Sequence, residues 1–75
     1  MASNYHIGID LGGTKIEVAV LDSHDKIIFR ERLLTEAHLG SDHIFDQIQT
    51  LYGKAVISIQ NKTHSLGLGT PGSIS

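Results

Sequence analysis

Tyr5-His6-Ile7-Gly8-Ile9-Asp10-Leu11-Gly12-Gly13-Thr14-Lys15-Ile16-Glu17-Val18-Ala19-Val20-Leu21 decides the fold of this 75-residue chain. Residues Tyr5 to Asp10 alternate, with Tyr5, Ile7 and Ile9 on one face and His6, Gly8 and Asp10 on the other. That period of two marks a strand with one buried side. Lys15 to Leu21 is a second strand, rich in β-branched residues, with Lys15, Glu17 and Ala19 opposite Ile16, Val18 and Val20. The glycine turn therefore joins strand to strand. A P-loop (G-x-x-x-x-G-K-[ST]) and a dinucleotide loop (G-x-G-x-x-G) both open a helix, so neither describes this turn.

Working outward, Asp22-Ser23-His24-Asp25 is a polar turn, and Lys26 to Leu34 reads as a third strand. Simple alternation puts Ile27, Phe29 and Glu31 on one face and Ile28, Arg30 and Arg32 on the other. The charges Arg30-Glu31-Arg32 suit an edge position. Thr35 to Gly40 is a linker, and Ser41 or Asp42 is expected to cap the helix that follows. Ile44, Ile48, Leu51, Ala55 and Ile59 form its apolar stripe, widened by Phe45, Tyr52 and Val56, over up to about twenty residues. Gly53 weakens that helix or ends it early. Asn61-Lys62-Thr63 is the exit turn, and His64 to Gly69 is a fourth strand with Leu66 and Leu68 on one face. The expected fold class is α/β: a three-stranded antiparallel meander, a crossover helix and a fourth strand in one mixed sheet.

Composition narrows the function. Six basic residues against eight acidic ones give a net charge of −2, with no basic patch for nucleic acid. No apolar run approaches the roughly eighteen residues of a membrane span, and the N-terminus lacks a signal peptide's basic and apolar regions. The expected location is cytoplasmic. The chain has no cysteine, and its histidines (His6, His24, His38, His43 and His64) do not fall into a metal-binding spacing. The turn-rich ending Gly69-Thr70-Pro71-Gly72-Ser73-Ile74-Ser75 predicts that residues 1–75 are the first part of a larger domain.

Two segments hold candidate chemistry. Asp10, at a strand end ahead of glycine amides, can hold a hydrated Mg2+ that in turn meets phosphate oxygens, or it can bond the turn amides as an Asx-turn. Gly12 and Gly13 permit φ > 0 and keep side chains away from a bound group. Their amides, with the Thr14 hydroxyl, suit an anion nest, or the pair simply closes a tight hairpin. Lys15 offers charge to a phosphate, although strand alternation favours solvent. Gly8 marks either close approach of a ligand or packing against a helix. At the other end, Gly67, Gly69, Thr70, Pro71 and Gly72 form a firm turn at a strand end, with the Ser73 and Ser75 hydroxyls beside it.

These residues carry a resemblance. Ile7-Gly8-Ile9-Asp10-Leu11-Gly12-Gly13-Thr14-Lys15-Ile16 resembles the first phosphate loop of the ROK family (repressor, open reading frame, kinase), within the hexokinase–actin–Hsp70 ATPase superfamily. Leu66-Gly67-Leu68-Gly69-Thr70-Pro71-Gly72 resembles the family's later G-x-G-x-P-G segment, and Gly72-Ser73-Ile74-Ser75 is most similar to bacterial fructokinase and manno(fructo)kinase members. The likeness runs from Tyr5 to Ser75.

The resemblance implies the first part of a ribonuclease-H-like N-terminal lobe, with the second lobe absent, and ATP-dependent phosphorylation of a hexose by the full-length parent. It implies Asp10 as the Mg2+ residue, Gly12, Gly13, Thr14 and Lys15 at the ATP phosphates, and Gly69, Thr70, Pro71, Gly72 and Ser73 on the sugar side. It gives these residues no catalytic base: the family's aspartate, usually in an Asn-Asp segment, falls downstream, as do the zinc motif and the adenosine pocket. The 75 residues alone are expected to be inactive. Hexose and ATP are the expected partners, with self-association through a sheet edge or a family-type dimer. The competing readings are a sugar-responsive transcriptional regulator of the same family, disfavoured because a sheet starting at Tyr5 leaves no room for a preceding DNA-binding motif, and an actin- or Hsp70-like ATPase domain, disfavoured by the Gly-Thr-Pro-Gly segment.

Overall fold

The computed structural model describes residues 4–69. Three strands, β1 (Tyr5–Leu11), β2 (Lys15–Leu21) and β3 (Ile27–Leu34), lead through a 3-10 turn at Ala37–Leu39 into α1 (Ser41–Ser58) and then β4 (His64–Gly69). The sheet order is β3-β2-β1-β4. β1 pairs antiparallel with β2 and parallel with β4, and β2 pairs antiparallel with β3. The expected meander, crossover helix and fourth strand are all present, and the charged third strand lies at an edge.

Alternation decides what each face does. Ile7, Ile9, Ile16, Val18 and Val20 are buried on one side, where α1 covers them with Leu51, Ala55 and Ile59. The opposite side carries His6, Gly8 and Asp10 of β1 beside Leu21, Ala19 and Glu17 of β2. Burial of five β-branched side chains under one helix is the main stabilising term, each worth roughly 1.5–3 kcal/mol on full burial.

The β2–β3 turn follows the polar signal closely. The Asp22 carboxylate accepts from the backbone N–H groups of His24 at 2.8 Å and Lys26 at 3.0 Å. Those bonds, Lys26 first and His24 second, hold its carboxyl below the ordinary value. Asp25 supplies the left-handed residue, at φ 62°.

Several local expectations give way. A β-bulge opposite Val20 and Leu21 pairs Leu21 with Ile27 and Val20 with Phe29. The extra residue breaks the alternation of β3, so Ile27 joins Arg30 on the helix-free side instead of sharing a face with Phe29. Neither Ser41 nor Asp42 caps α1: Gly40, at φ 97°, is the N-cap, and no side-chain cap bond forms. The linker before it carries the 3-10 turn, and Glu36 at its head is left-handed (φ 51°). Phe45 is 58 % exposed and stays out of the stripe. Leu66 and Leu68 share a face, in register with Ile7 and Ile9, but both are exposed because α1 lies mainly over the other strands.

Gly53 does not end the helix, which runs on to Ser58. It closes in a Schellman arrangement, with Asn61 N–H donating to Val56 O and Gln60 N–H donating to Ile57 O. Gln60 takes the left-handed position at φ 57°.

A Cβ added at Gly53 meets no atom within 4 Å. Gly53→Ala is therefore expected to stabilise the protein by about 1 kcal/mol through helix propensity, whereas Leu51→Ala, at a fully buried site, should cost about 2–5 kcal/mol. Urea denaturation of the two variants checks both signs.

Candidate functional site

The helix-free face holds a furrow of about 280 Å³ lined by Gly8, Asp10, Glu17, Ala19, Ile27 and Arg30. Its floor is low because Gly8 lies between Ala19 of β2 and Gly67 of β4. A Cβ at Gly8 would meet nothing within 4 Å, and α1 is on the other side of the sheet. Packing against a helix is therefore not why residue 8 is glycine.

Asp10 is exposed at the turn end of this furrow, paired in register with Glu17 on one side and Gly69 on the other. Two carboxylates directly opposite on one face repel. Glu17 is drawn off by Arg30, which reaches diagonally from β3 to pair with it. That hydrogen bond, joined by the charges of Arg30, Arg32 and Lys15, lowers the Glu17 pKa against a smaller opposing effect of burial.

The turn itself departs from a two-residue hairpin. Type I′ and II′ turns require positive φ, yet neither Gly12 nor Gly13 has one; among the described glycines only Gly40 does. The left-handed freedom expected of the glycine pair is thus not used. The turn closes through Gly12 N–H donating to Lys15 O at 2.9 Å. No hydrogen bond ties the Asp10 carboxylate to the turn amides among the described residues, so the Asx-turn is not formed. Gly13 is exposed, and a Cβ there would meet nothing within 4 Å. Thr14 and Lys15 are exposed beside it.

One participant was invisible in the sequence. Thr35, in the segment expected to be a plain linker, is only 3 % exposed. Its hydroxyl donates to Gly12 O at 2.8 Å and its N–H donates to Thr14 O at 2.9 Å. A buried hydroxyl-bearing residue straight after a strand was the only available hint, and burial at that point is not readable from composition.

The structure brings Asp10, Gly12, Gly13, Thr14, Lys15 and Gly69 to one end of the sheet. Thr70, Pro71, Gly72, Ser73 and Ser75 lie outside the described residues. Three histidine side chains have local partners. His6 meets Ser65 at 2.7 Å, and His43 meets Glu36 at 2.8 Å. The Nδ1–H of His64 donates to Lys62 O, which leaves Nε2 to accept from the Tyr52 hydroxyl at 2.7 Å when the ring is neutral.

The ROK family model matches residues 6–75. The chain belongs to the ROK family. Its sheet and helix are accordingly part of a ribonuclease-H-like lobe of the actin-like ATPase superfamily, and ROK proteins are sugar kinases or sugar-responsive regulators. A comparison with curated proteins gives no match. No helix among the described residues is long and apolar enough to cross a membrane.

The Arg30–Glu17 pair has a pH signature of known sign. A carboxyl whose folded pKa is depressed contributes stability above its unfolded value, ordinarily 4.5 here, and loses it as pH falls through the folded value. Half-exposed pairs of this kind are worth about 0.2–1 kcal/mol. Arg30→Ala should move the Glu17 carboxyl titration upward towards 4.5 and flatten the acid limb of stability against pH. NMR titration of the side-chain carboxyl resonances reads both.

Proposed function

We propose that the full-length protein carrying these residues is a cytoplasmic, ATP-dependent hexose kinase of the fructokinase type. One observation carries the reading. β1 and β4 run parallel with Asp10 in register with Gly69, so the glycine turn leaves the sheet beside the C-terminal end of β4. Ligands of α/β sheets bind at the carboxyl ends of such strands. A phosphate-binding turn beside Gly69, the residue at which the expected sugar-side segment starts, suits the transfer of a phosphoryl group from nucleotide to sugar.

The donor set fits Mg2+. Asp10 offers one exposed hard oxygen donor at the strand end, while Arg30 engages the facing Glu17. Mg2+ commonly takes one or two carboxylates together with phosphate oxygens and water. Bound there, the ion would supply positive charge to the phosphate oxygens of ATP.

The chain's own residues do the positioning. Gly13 leaves the approach to the turn clear, and its backbone amide and the Thr14 hydroxyl suit phosphate oxygens. Lys15 adds charge at the same end. Asp10, committed to the ion, is not the group that accepts the proton of the sugar hydroxyl, and no described residue receives that role. Holding the reactants in line and neutralising charge account for most of the rate gain in phosphoryl transfer.

The test is hexose-dependent ATP turnover by the full-length protein with fructose, glucose and mannose, in wild type and in Asp10→Asn. Asp10→Asn should lower kcat about 10²-fold, the size of losing one preorganised electrostatic contact. Sugar binding without phosphoryl transfer in the wild type would move the protein to the regulator branch. ATP turnover indifferent to hexose would overturn the sugar-kinase reading.

A further inference from the structure

Thr35 makes two bonds to one turn, and their geometry fixes where the turn's amides face. Its hydroxyl holds the Gly12 carbonyl, and its backbone N–H holds the Thr14 carbonyl, both against the buried Thr35 that follows β3. No peptide bond here is cis. In a trans peptide the carbonyl and the following N–H point to opposite sides. With Gly12 O bonded to buried Thr35, Gly13 N–H points away from Thr35, and Gly13 itself is exposed. Gly12 N–H is already committed to Lys15 O.

The grip is itself anchored. Thr35 is buried at the junction between β3 and the 3-10 turn. Glu36 follows in a left-handed conformation and meets His43 in the first turn of α1 at 2.8 Å. The phosphate turn is therefore braced from β3 and α1, not only from the two strands it joins.

We propose that Thr35 is the positioning residue of the phosphate turn, presenting Gly13 N–H to the nucleotide through its hydrogen bond to Gly12 O. The inference rests on the kinase reading above. Thr35 does not touch nucleotide; it acts through the Gly12–Gly13 peptide. An orienting group of this kind is worth about tenfold or more in activity when removed.

The experiment uses the full-length protein as wild type, Thr35→Val, Thr35→Ala and Thr35→Ser. Thr35→Val keeps the shape and loses the hydroxyl, Thr35→Ala loses the hydroxyl without demanding a β-branched fit, and Thr35→Ser retains it. Mg-ATP binding is titrated by calorimetry, KM is measured separately for ATP and hexose, and exchange of the Gly12 amide, bonded to Lys15 O, is followed in the nucleotide-free protein. Thr35→Val or Thr35→Ala should weaken Mg-ATP about tenfold, leave the hexose KM within about twofold, and speed exchange at the Gly12 amide, which bonds Lys15 O, while Thr35→Ser should stay close to wild type. Unchanged Mg-ATP affinity in both hydroxyl-less variants would overturn the proposal, as would equal weakening of both substrates or failure of Thr35→Ser to rescue. If wild type binds no Mg-ATP, the kinase reading fails and takes the nucleotide role with it. The wild-type titration alone separates that outcome from failure of the Thr35 inference.

Discussion

The burial of Ile7, Ile9, Ile16, Val18 and Val20 beneath Leu51, Ala55 and Ile59 is the constraint on which everything else depends. A strand shows alternate residues to opposite faces, so fixing Ile9 beneath the helix fixes Asp10 away from it. A slip of one residue would bury Asp10 and expose the isoleucines, at a cost of several buried side chains. The location of the candidate metal residue is thus a consequence of core packing and not of any interaction that Asp10 makes. The same rule puts Gly8 and Ala19 next to each other on the open face and sets the floor of the furrow.

That dependence explains how much was legible in the sequence. Strands read by alternation were located well: β2 spans Lys15–Leu21 as expected, and α1 follows its apolar stripe through Gly53. The misses come from geometry that residue type alone does not mark. Ile27 changed faces because the bulge opposite Val20 and Leu21 broke the period of two. Phe45 matched a helical spacing, but the stripe is wider than the strip of sheet beneath it. Capping by Ser41 or Asp42 failed because the chain enters α1 through a 3-10 turn and a glycine at φ 97°. Asp10 and the glycine turn were legible because residue type and order mark them. Thr35 was not, because a threonine's burial and its two partners, 21 and 23 residues earlier, leave no local trace.

The electrostatics of the open face follow from the same register. Pairing Asp10 with Glu17 sets two like charges opposite each other, an arrangement a sheet ordinarily avoids. Arg30, one step further along β3, removes the conflict by engaging Glu17 and leaves Asp10 as the available carboxylate at the turn. Lys15 and Arg32 reinforce the local positive charge that holds Glu17 ionised. The basic residues of an edge strand, expected from sequence only to suit that edge, therefore shape the field at the strand end.

The glycine turn shows why a motif is better understood by its bonds than by its composition. Two glycines in a hairpin suggest positive φ, but here the backbone uses ordinary φ values and gains its shape from Thr35. A Cβ at Gly13 would meet neither strain nor a clash among the described residues, so their packing does not explain a missing side chain there. What glycine does provide is an unobstructed path to a backbone amide aimed outward by the Gly12 carbonyl bond. The hydroxyl that aims the amide and the empty space in front of it come from residues 22 positions apart, yet they act on neighbouring peptide units. Only the pairing of β1, β2 and β3 in one sheet brings them together, and the helix that seals the opposite face keeps those strands in place.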